Sequence, residues 1–241
     1  GVEVRIYHVH CPKREDSFKT KLKSDVYTPQ CVNNATNYLS CSHLAASTLF
    51  GKKKYHILHN AIDAKKFEFD EEKRNDLRKA YGLDDAFVVG AVCRIDKLKN
   101  PFFLIDTFGE IKKRESSAKL VWLGSGDLDE QVQQYAKEKG LLTDCVFLGS
   151  RTDVNVWYSV MDILLFPSTL EGLGMVLIEA QASGLMCYTS KNVSKETDLT
   201  GLVHFADLSE GASKWAETIL KQAKNYRRIS RIKEVTEAGY N

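Results

Sequence analysis

The 241-residue sequence contains no apolar run approaching the roughly 18–20 residues needed to span a bilayer, so no membrane helix is expected. Its first residues lack the charged n-region and apolar h-region of a secretory signal. Its six cysteines, at 11, 31, 41, 93, 145 and 187, form no CxxC pair, which removes the usual zinc and redox motifs. Cys93, Cys145 and Cys187 sit in or beside apolar runs, where cysteine behaves as a small hydrophobe. The set reads as reduced, buried thiols of a cytoplasmic protein, with no metal site and no disulfide framework. An excess of one charge is also missing. Lys and Arg number 34 against 32 Asp and Glu, leaving +2, and a dedicated nucleic-acid binder shows a strong basic excess. No internal repeat or low-complexity segment is visible.

What is present is ordinary for a globular chain: 43% apolar and 27% charged residues, enough for a sizeable core. Basic residues cluster at 13–23, 51–54 and 227–233. Solvated surface is the plain reading of each, and attraction to an anionic membrane face is the functional alternative.

From about residue 86 short apolar runs alternate with amphipathic stretches. The runs 87–92, 119–123, 145–148, 162–166, 185–188 and 202–205 have the continuous hydrophobicity of strands buried on both faces of a parallel sheet. Helices are expected over 101–114, 128–139, 153–160, 174–183 and 209–223. Alternation of this kind predicts an α/β, doubly wound domain with ligands bound at the strand C-terminal ends. Residues 1–62 read as a smaller portion. Val2–Tyr7 alternates like a strand, a helix is expected over 29–38, a short run follows at 38–41, and a helix starts at Ser42. A strand over 55–58 then leads to a linker at Asn60–Asp63.

The most informative segment is PSTLEGLGMVLIEAQASG, residues 167–184. Gly172 and Gly174 supply a tight turn, and a helix starting near Gly174 leaves its first N–H groups without internal partners. Those donors and the positive end of the helix dipole suit a phosphate. Glu171, just before the turn, would face the ligand. Glu179 lies in an apolar helical run, where a carboxylate should be exposed or have a specific partner. In VGAVCRIDKLKNP, residues 88–101, Arg94 leaves a strand end and Lys99 follows five positions later. Two cations on the edge that carries the glycine turn would clamp a diphosphate. Gly124 and Gly126 of LGSGD are either a plain strand-to-helix turn or a pocket wall. His8 and His10 close the first strand; a lone histidine there is ordinarily structural.

Taken together these segments resemble the glycosyltransferase group 1 family, also called family 4, whose members have the GT-B fold. Glu171 and Glu179 match its E-x7-E signature, and Arg94 and Lys99 match its phosphate-holding pair. Cys93 replaces the usual strand-end glycine, and Ala61 another glycine. VRIYHVHCPKR resembles the HxH segment of some exopolysaccharide transferases, with His10 in the register that faces the donor sugar. FLGSRTDVNVWY, with Gly149 and Arg151, matches the place where the nucleotide base lies.

The resemblance implies a complete C-terminal nucleotide-sugar domain over 63–241 and a remnant of the N-terminal acceptor domain over 1–62. It also implies truncation at both ends. About a hundred residues would be missing before the start, and VTEAGYN would continue into a terminal helix. The implied reaction is retaining transfer of a hexose-type sugar from a nucleotide sugar, often a UDP-sugar, to a surface-polysaccharide acceptor that is a saccharide or a lipid-linked saccharide. Peripheral membrane contact is an attendant expectation. Arg94, Lys99 and the amides of Leu173 and Gly174 would stabilise the departing diphosphate. Glu171 would orient sugar hydroxyls, and Glu179 would hold the ribose. No metal is required of such a site, and no DxD stands convincingly at a strand end. Two other readings remain open at this point: a nucleotide-sugar-binding fragment without transfer, and a GT-B nucleotide-sugar epimerase.

Overall fold

The computed structural model describes residues 1–12 and 18–241. Its first part is a small parallel sheet in the order β1-β2-β3, with β1 over Ile6–Val9, α1 over Phe18–Asn34, β2 over Asn37–Ser40, α2 over His43–Phe50 and β3 over His56–Ile57. Val9, Val32, Ala45, Ala46 and Phe50 form its core.

The larger part runs α3 (Glu71–Ala80), β4 (Val88–Val92), α4 (Pro101–Arg114), β5 (Lys119–Leu123), α5 (Asp129–Glu138), β6 (Cys145–Gly149), α6 (Val154–Val160), β7 (Ile163–Phe166), α7 (Met175–Ala182), β8 (Met186–Ser190), β9 (Val203–Ala206), α8 (Gly211–Ala223) and α9 (Ile232–Glu237). Its six strands are all parallel, in the order β6-β5-β4-β7-β8-β9. The expected doubly wound sheet is therefore present. Val89, Ala91, Leu120, Trp122, Ile163 and Leu165 face one layer with α4, α5 and α8. Val88, Val92, Val121, Leu164 and Cys187 face the other with α6 and α7. Covering both faces is why these strands read as continuous apolar runs rather than alternating ones.

The chain first builds outward from β4 to β5 and β6, then returns to lay β7 against the other side of β4. The sheet thus reverses direction between β4 and β7, and the loops leaving the C-terminal ends of these two strands diverge over a crevice. Those loops carry Arg94–Lys99 and Pro167–Gly174.

Several expectations need correction. The first strand is Ile6–Val9 rather than Val2–Tyr7, because pairing to β2 begins only at Ile6. The helix expected over 29–38 is α1, which starts by Phe18, carries Pro29 inside it and ends at Asn34. Helix α3 was not foreseen, since EEKRNDLRKA has almost no apolar periodicity. Its ends hold it instead. Asp70 accepts a hydrogen bond from the Lys73 amide (2.9 Å), with Glu71 and Glu72 in the first turn and Arg78 and Lys79 in the last. The cysteines are not uniformly buried: Cys11 and Cys31 are exposed.

The basic runs also divide. Lys52–Lys54 are exposed as expected, and residues 13–17 of the first run lie outside the described residues. Arg228 of the third run is not a solvated charge. Its guanidinium donates to the carbonyls of Ser183 (2.7 Å), Tyr158 (2.8 Å) and Met161 (3.0 Å) and lies over the Phe69 ring at 4.4 Å.

Candidate functional site

Asp96 opens the turn after β4. Its carboxylate accepts the amides of Leu98 (3.0 Å) and Lys99 (3.2 Å), which fixes a short 3-10 turn over Lys97–Lys99. Asn100 follows in the left-handed conformation (φ 54°), and Pro101 then starts α4. The same turn is tied to the loop after β7. The Leu98 carbonyl accepts from the Thr169 amide (2.8 Å), the Ser168 hydroxyl (2.9 Å) and the Thr169 hydroxyl (3.1 Å). The Ser190 hydroxyl in turn donates to the Ser168 carbonyl. Three strand ends, β4, β7 and β8, are thereby stitched along one edge.

Within that frame Lys99 Nζ contacts the Glu171 carboxylate, and both side chains are about four-fifths buried (19% and 18% exposed). Lys99 also lies over the Phe166 ring at 5.0 Å. Residues 72 positions apart in sequence thus meet at the point where the sheet reverses. Arg94 points outward, 68% exposed, with its Nε 3.6 Å from Asp96 Oδ2. Gly174 adopts φ 69° as the N-cap of α7 and supplies no capping side chain. A residue bearing a Cβ is disfavoured there; the Leu177 amide is taken by the Gly174 carbonyl (2.9 Å), and the amides before it have no earlier helical carbonyl to bond.

Gly172 is small for a reason the sequence did not show. A Cβ there would overlap the His10 carbonyl oxygen at the end of the small sheet, and the Gly172 carbonyl accepts from Ser42 Oγ (3.0 Å). Both amide contacts of the Glu196 carboxylate to His43 (3.0 Å each) lie beside this seam. The glycine turn is therefore where the two sheets touch. Gly172→Ala should force His10 and Cys11 away, an overpacking cost of ~1–3 kcal/mol. At roughly 2–4 °C per kcal/mol for a chain of this size, calorimetry should show a clearly lowered melting temperature. An unchanged melting temperature would mean that the seam is not held as described.

His10 is exposed at this seam, with its ring centroid 4.1 Å from that of His8. Burial, and secondarily the neighbouring His10, lower the pKa of His8, whose Nε2 is buried with no hydrogen-bond partner among the described residues.

On α7, Glu179 has the specific partner its surroundings demand: the buried Tyr158 hydroxyl donates to Oε2 at 2.7 Å. Burial raises the Glu179 carboxyl above its ordinary value, and the Tyr158 hydrogen bond opposes that rise. No hydrogen bond to Oε1 is found among the described residues, so one oxygen is left to accept another donor.

The remaining candidates are further off. Gly124 (φ 127°) and Gly126 have no room for a Cβ, which would overlap the Cys93 and Ile95 carbonyl oxygens. Their sizes are set by packing of the β5 loop under the Arg94 turn. Gly149 accepts the Gly124 amide at 2.8 Å. Arg151 follows β6, two strands from β4, where it pairs bidentately with Asp153 (2.6 and 2.7 Å) and covers Trp157. Asp96 and Tyr158 were missed by sequence reasoning. An aspartate opening a turn is a readable capping signal; nothing local marks Tyr158, whose role comes from packing of α6 on α7.

The model of the family described as "Glycosyl transferases group 1" matches residues 73–201, just over half of the chain and the whole of this strand-end edge. The chain belongs to the group 1 glycosyltransferases. Among curated relatives, EpsF of Bacillus subtilis strain 168, which is provisionally named a glycosyltransferase, is 34% identical over 232 residues, covering 92% of this chain and 60% of EpsF. The Vi polysaccharide biosynthesis protein VipC/TviE of Salmonella typhi is 28% identical over 154 residues, covering 63% and 27%. Among solved structures, Anabaena Alr3699/HepE in complex with UDP and glucose superposes with a TM-score of 0.78 at 20% identity, over 98% of this chain and 64% of HepE. That likeness shows the GT-B fold expected of a group 1 glycosyltransferase. The chain thus spans about 60% of the length of EpsF and 64% of HepE. Among the described residues of this family member, no helix is long and apolar enough to cross a membrane.

Proposed function

We propose that this chain carries the donor site of a retaining glycosyltransferase that moves a hexose-type sugar from a UDP-sugar to a growing surface-polysaccharide acceptor, either a saccharide or a lipid-linked saccharide. Residues 63–241 are read as the donor domain and 1–62 as part of the acceptor domain, acting in the cytoplasm at or near the inner membrane face. The observation that carries the reading is the Lys99–Glu171 contact at the sheet reversal, beside the uncapped N-terminus of α7.

In this reading the bond between the anomeric carbon and the β-phosphate oxygen breaks, and its electron pair leaves with the diphosphate. The acceptor hydroxyl oxygen forms the new bond to the anomeric carbon, and its proton passes to an oxygen of the departing diphosphate. The chain's part is electrostatic. Arg94, Lys99 and the amides of Leu173 and Gly174 face the charge that grows on the leaving group, and such preorganised donors are worth most in a water-poor crevice. Glu171 contacts the Lys99 cation on one side and orients sugar hydroxyls on the other, His10 faces the sugar from the small sheet, and Glu179 Oε1 accepts from the ribose. Gly124, Gly126, Gly149 and Arg151 frame the base.

The test is calorimetric titration of UDP, GDP and ADP into the chain and its Glu179→Gln variant between pH 4.5 and 8. UDP should bind most tightly. Its affinity for the native chain should fall on acidification through a midpoint above the ordinary carboxylate value, because the ribose needs the unprotonated oxygen. The variant, which keeps shape but not charge, should bind more weakly at pH 8 and lack that component of the pH profile. Loss of affinity cannot then be confused with acid unfolding through this residue. Burial raises the folded-state pKa above the unfolded one, so the native state takes up the proton first, and protonating Glu179 favours the fold. Equal binding by variant and native chain at every pH would remove Glu179 from the site. No nucleotide binding at all would remove the donor site.

A further inference from the structure

One carboxylate touches the Lys99 backbone amide and the Arg94 side chain. Asp96 stands two residues after Arg94 and three before Lys99. Its Oδ1 accepts the Leu98 and Lys99 amides at 3.0 and 3.2 Å, and its Oδ2 lies 3.6 Å from Arg94 Nε. Its side chain is only 20% exposed, so its oxygens are largely committed to these partners. The turn starts from the buried Ile95, whose backbone bonds to Ser125 (3.4 Å) and Leu128 (3.1 Å), and Asp96 Oδ1 adds the side-chain cap. It is a single 3-10 turn over Lys97–Lys99 with no buried residue of its own, and it leads into the left-handed Asn100. On its far side the Leu98 carbonyl is held by Ser168 and Thr169, and the Lys99 side chain reaches Glu171. Asp96 therefore fixes the turn from one side and the β7 loop fixes it from the other, and Lys99 reaches Glu171 from between them.

We infer that Asp96 is a positioning residue of the donor site: it presets the Lys99 backbone, so that this cation meets the diphosphate without the turn first being ordered. The inference rests on the donor-site reading above. Its physical basis is preorganisation. Side chains and turns that must be immobilised on binding weaken the complex, and a cap that immobilises them beforehand removes that cost. The amide contacts need only an acceptor oxygen, since capping by Asn is about as good as capping by Asp. The Arg94 contact is long, single and solvent-exposed on one side, and contributes little by itself. The capping oxygen, more than the negative charge, is thus what the site uses.

This separates two substitutions. Asp96→Ala should weaken UDP binding roughly five- to tenfold, the size of a lost cap, while the melting temperature of the chain falls by about 2–6 °C. Asp96→Asn should restore affinity to within about threefold of the native chain. Lys99→Ala serves as the reference for loss of a cation. If Lys99→Ala weakens UDP binding and Asp96→Ala does not, the inference about Asp96 is overturned and the donor site stands. The inference is equally overturned if Asn binds as poorly as Ala, because the charge and not the cap would then matter. If the native chain binds no UDP, the donor-site reading falls, and this inference falls with it.

Discussion

Asp162→Ala is expected to lower the melting temperature by about 6–20 °C, the largest stability loss of any single substitution considered. Asp162 sits where α6 gives way to β7, on the edge of the sheet opposite the donor loops. Its carboxylate meets Arg74 (2.5 Å) and Arg78 (2.6 Å) and accepts the Val88 amide at 2.7 Å. Arg78 is 8% exposed and also donates to the Val160 and Ala86 carbonyls. Arg74 donates to the carbonyls of Ser159, Val160 and Met161, at the end of α6 where the helix dipole is negative. Removing the carboxylate leaves two guanidinium groups, one of them buried, without their counter-charge, at a cost of roughly 3–5 kcal/mol. Spread over a chain of this size, each kcal/mol is worth about 2–4 °C. Differential scanning calorimetry measures this directly. The folded fraction of the variant should still bind UDP like the native chain, since the network touches no donor loop. A melting temperature within a degree or two of native would show that the arginines find other partners.

The second large effect is on binding. Lys99→Ala should reduce UDP affinity by about 30- to 5,000-fold at low salt, because truncating one member of a largely buried, hydrogen-bonded charge pair costs about 2–5 kcal/mol. Two losses combine. The diphosphate loses a charge-assisted donor, and Glu171, only 18% exposed, is left facing the incoming anion without its cation. A Glu171→Gln change in the same background should recover part of the loss by removing that repulsion. If Lys99→Ala binds UDP within threefold of native, the diphosphate does not lie at this cation.

The larger sheet was legible because its chemistry is local. Residues 87–92 and 120–123 are apolar throughout, as strands covered on both faces must be, and the observed strands fall within a residue of those expected. The site was legible to the extent that it is made of motifs at strand ends. Lys99, Glu171 and the Gly172–Gly174 turn converge as the alternation of strands and helices predicts. What could not be read depends on contacts between distant segments. Gly172 answers to the His10 carbonyl, Glu179 to Tyr158, and Arg228 to four carbonyls around α6 and Ser183. A composition-based reading treated the last as a surface charge. Helix α3 is not legible in the sequence because it is held by its caps and its arginines and carries no apolar stripe.

The most direct test of the donor site is a crystal structure of the chain with UDP. The account predicts the diphosphate at the N-terminus of α7, within hydrogen-bond reach of the Leu173 and Gly174 amides and of Lys99 Nζ, with a ribose hydroxyl on Glu179. UDP bound elsewhere would contradict it, for instance in the 570 Å³ cavity beside β9 lined by Tyr188, Lys191 and His204.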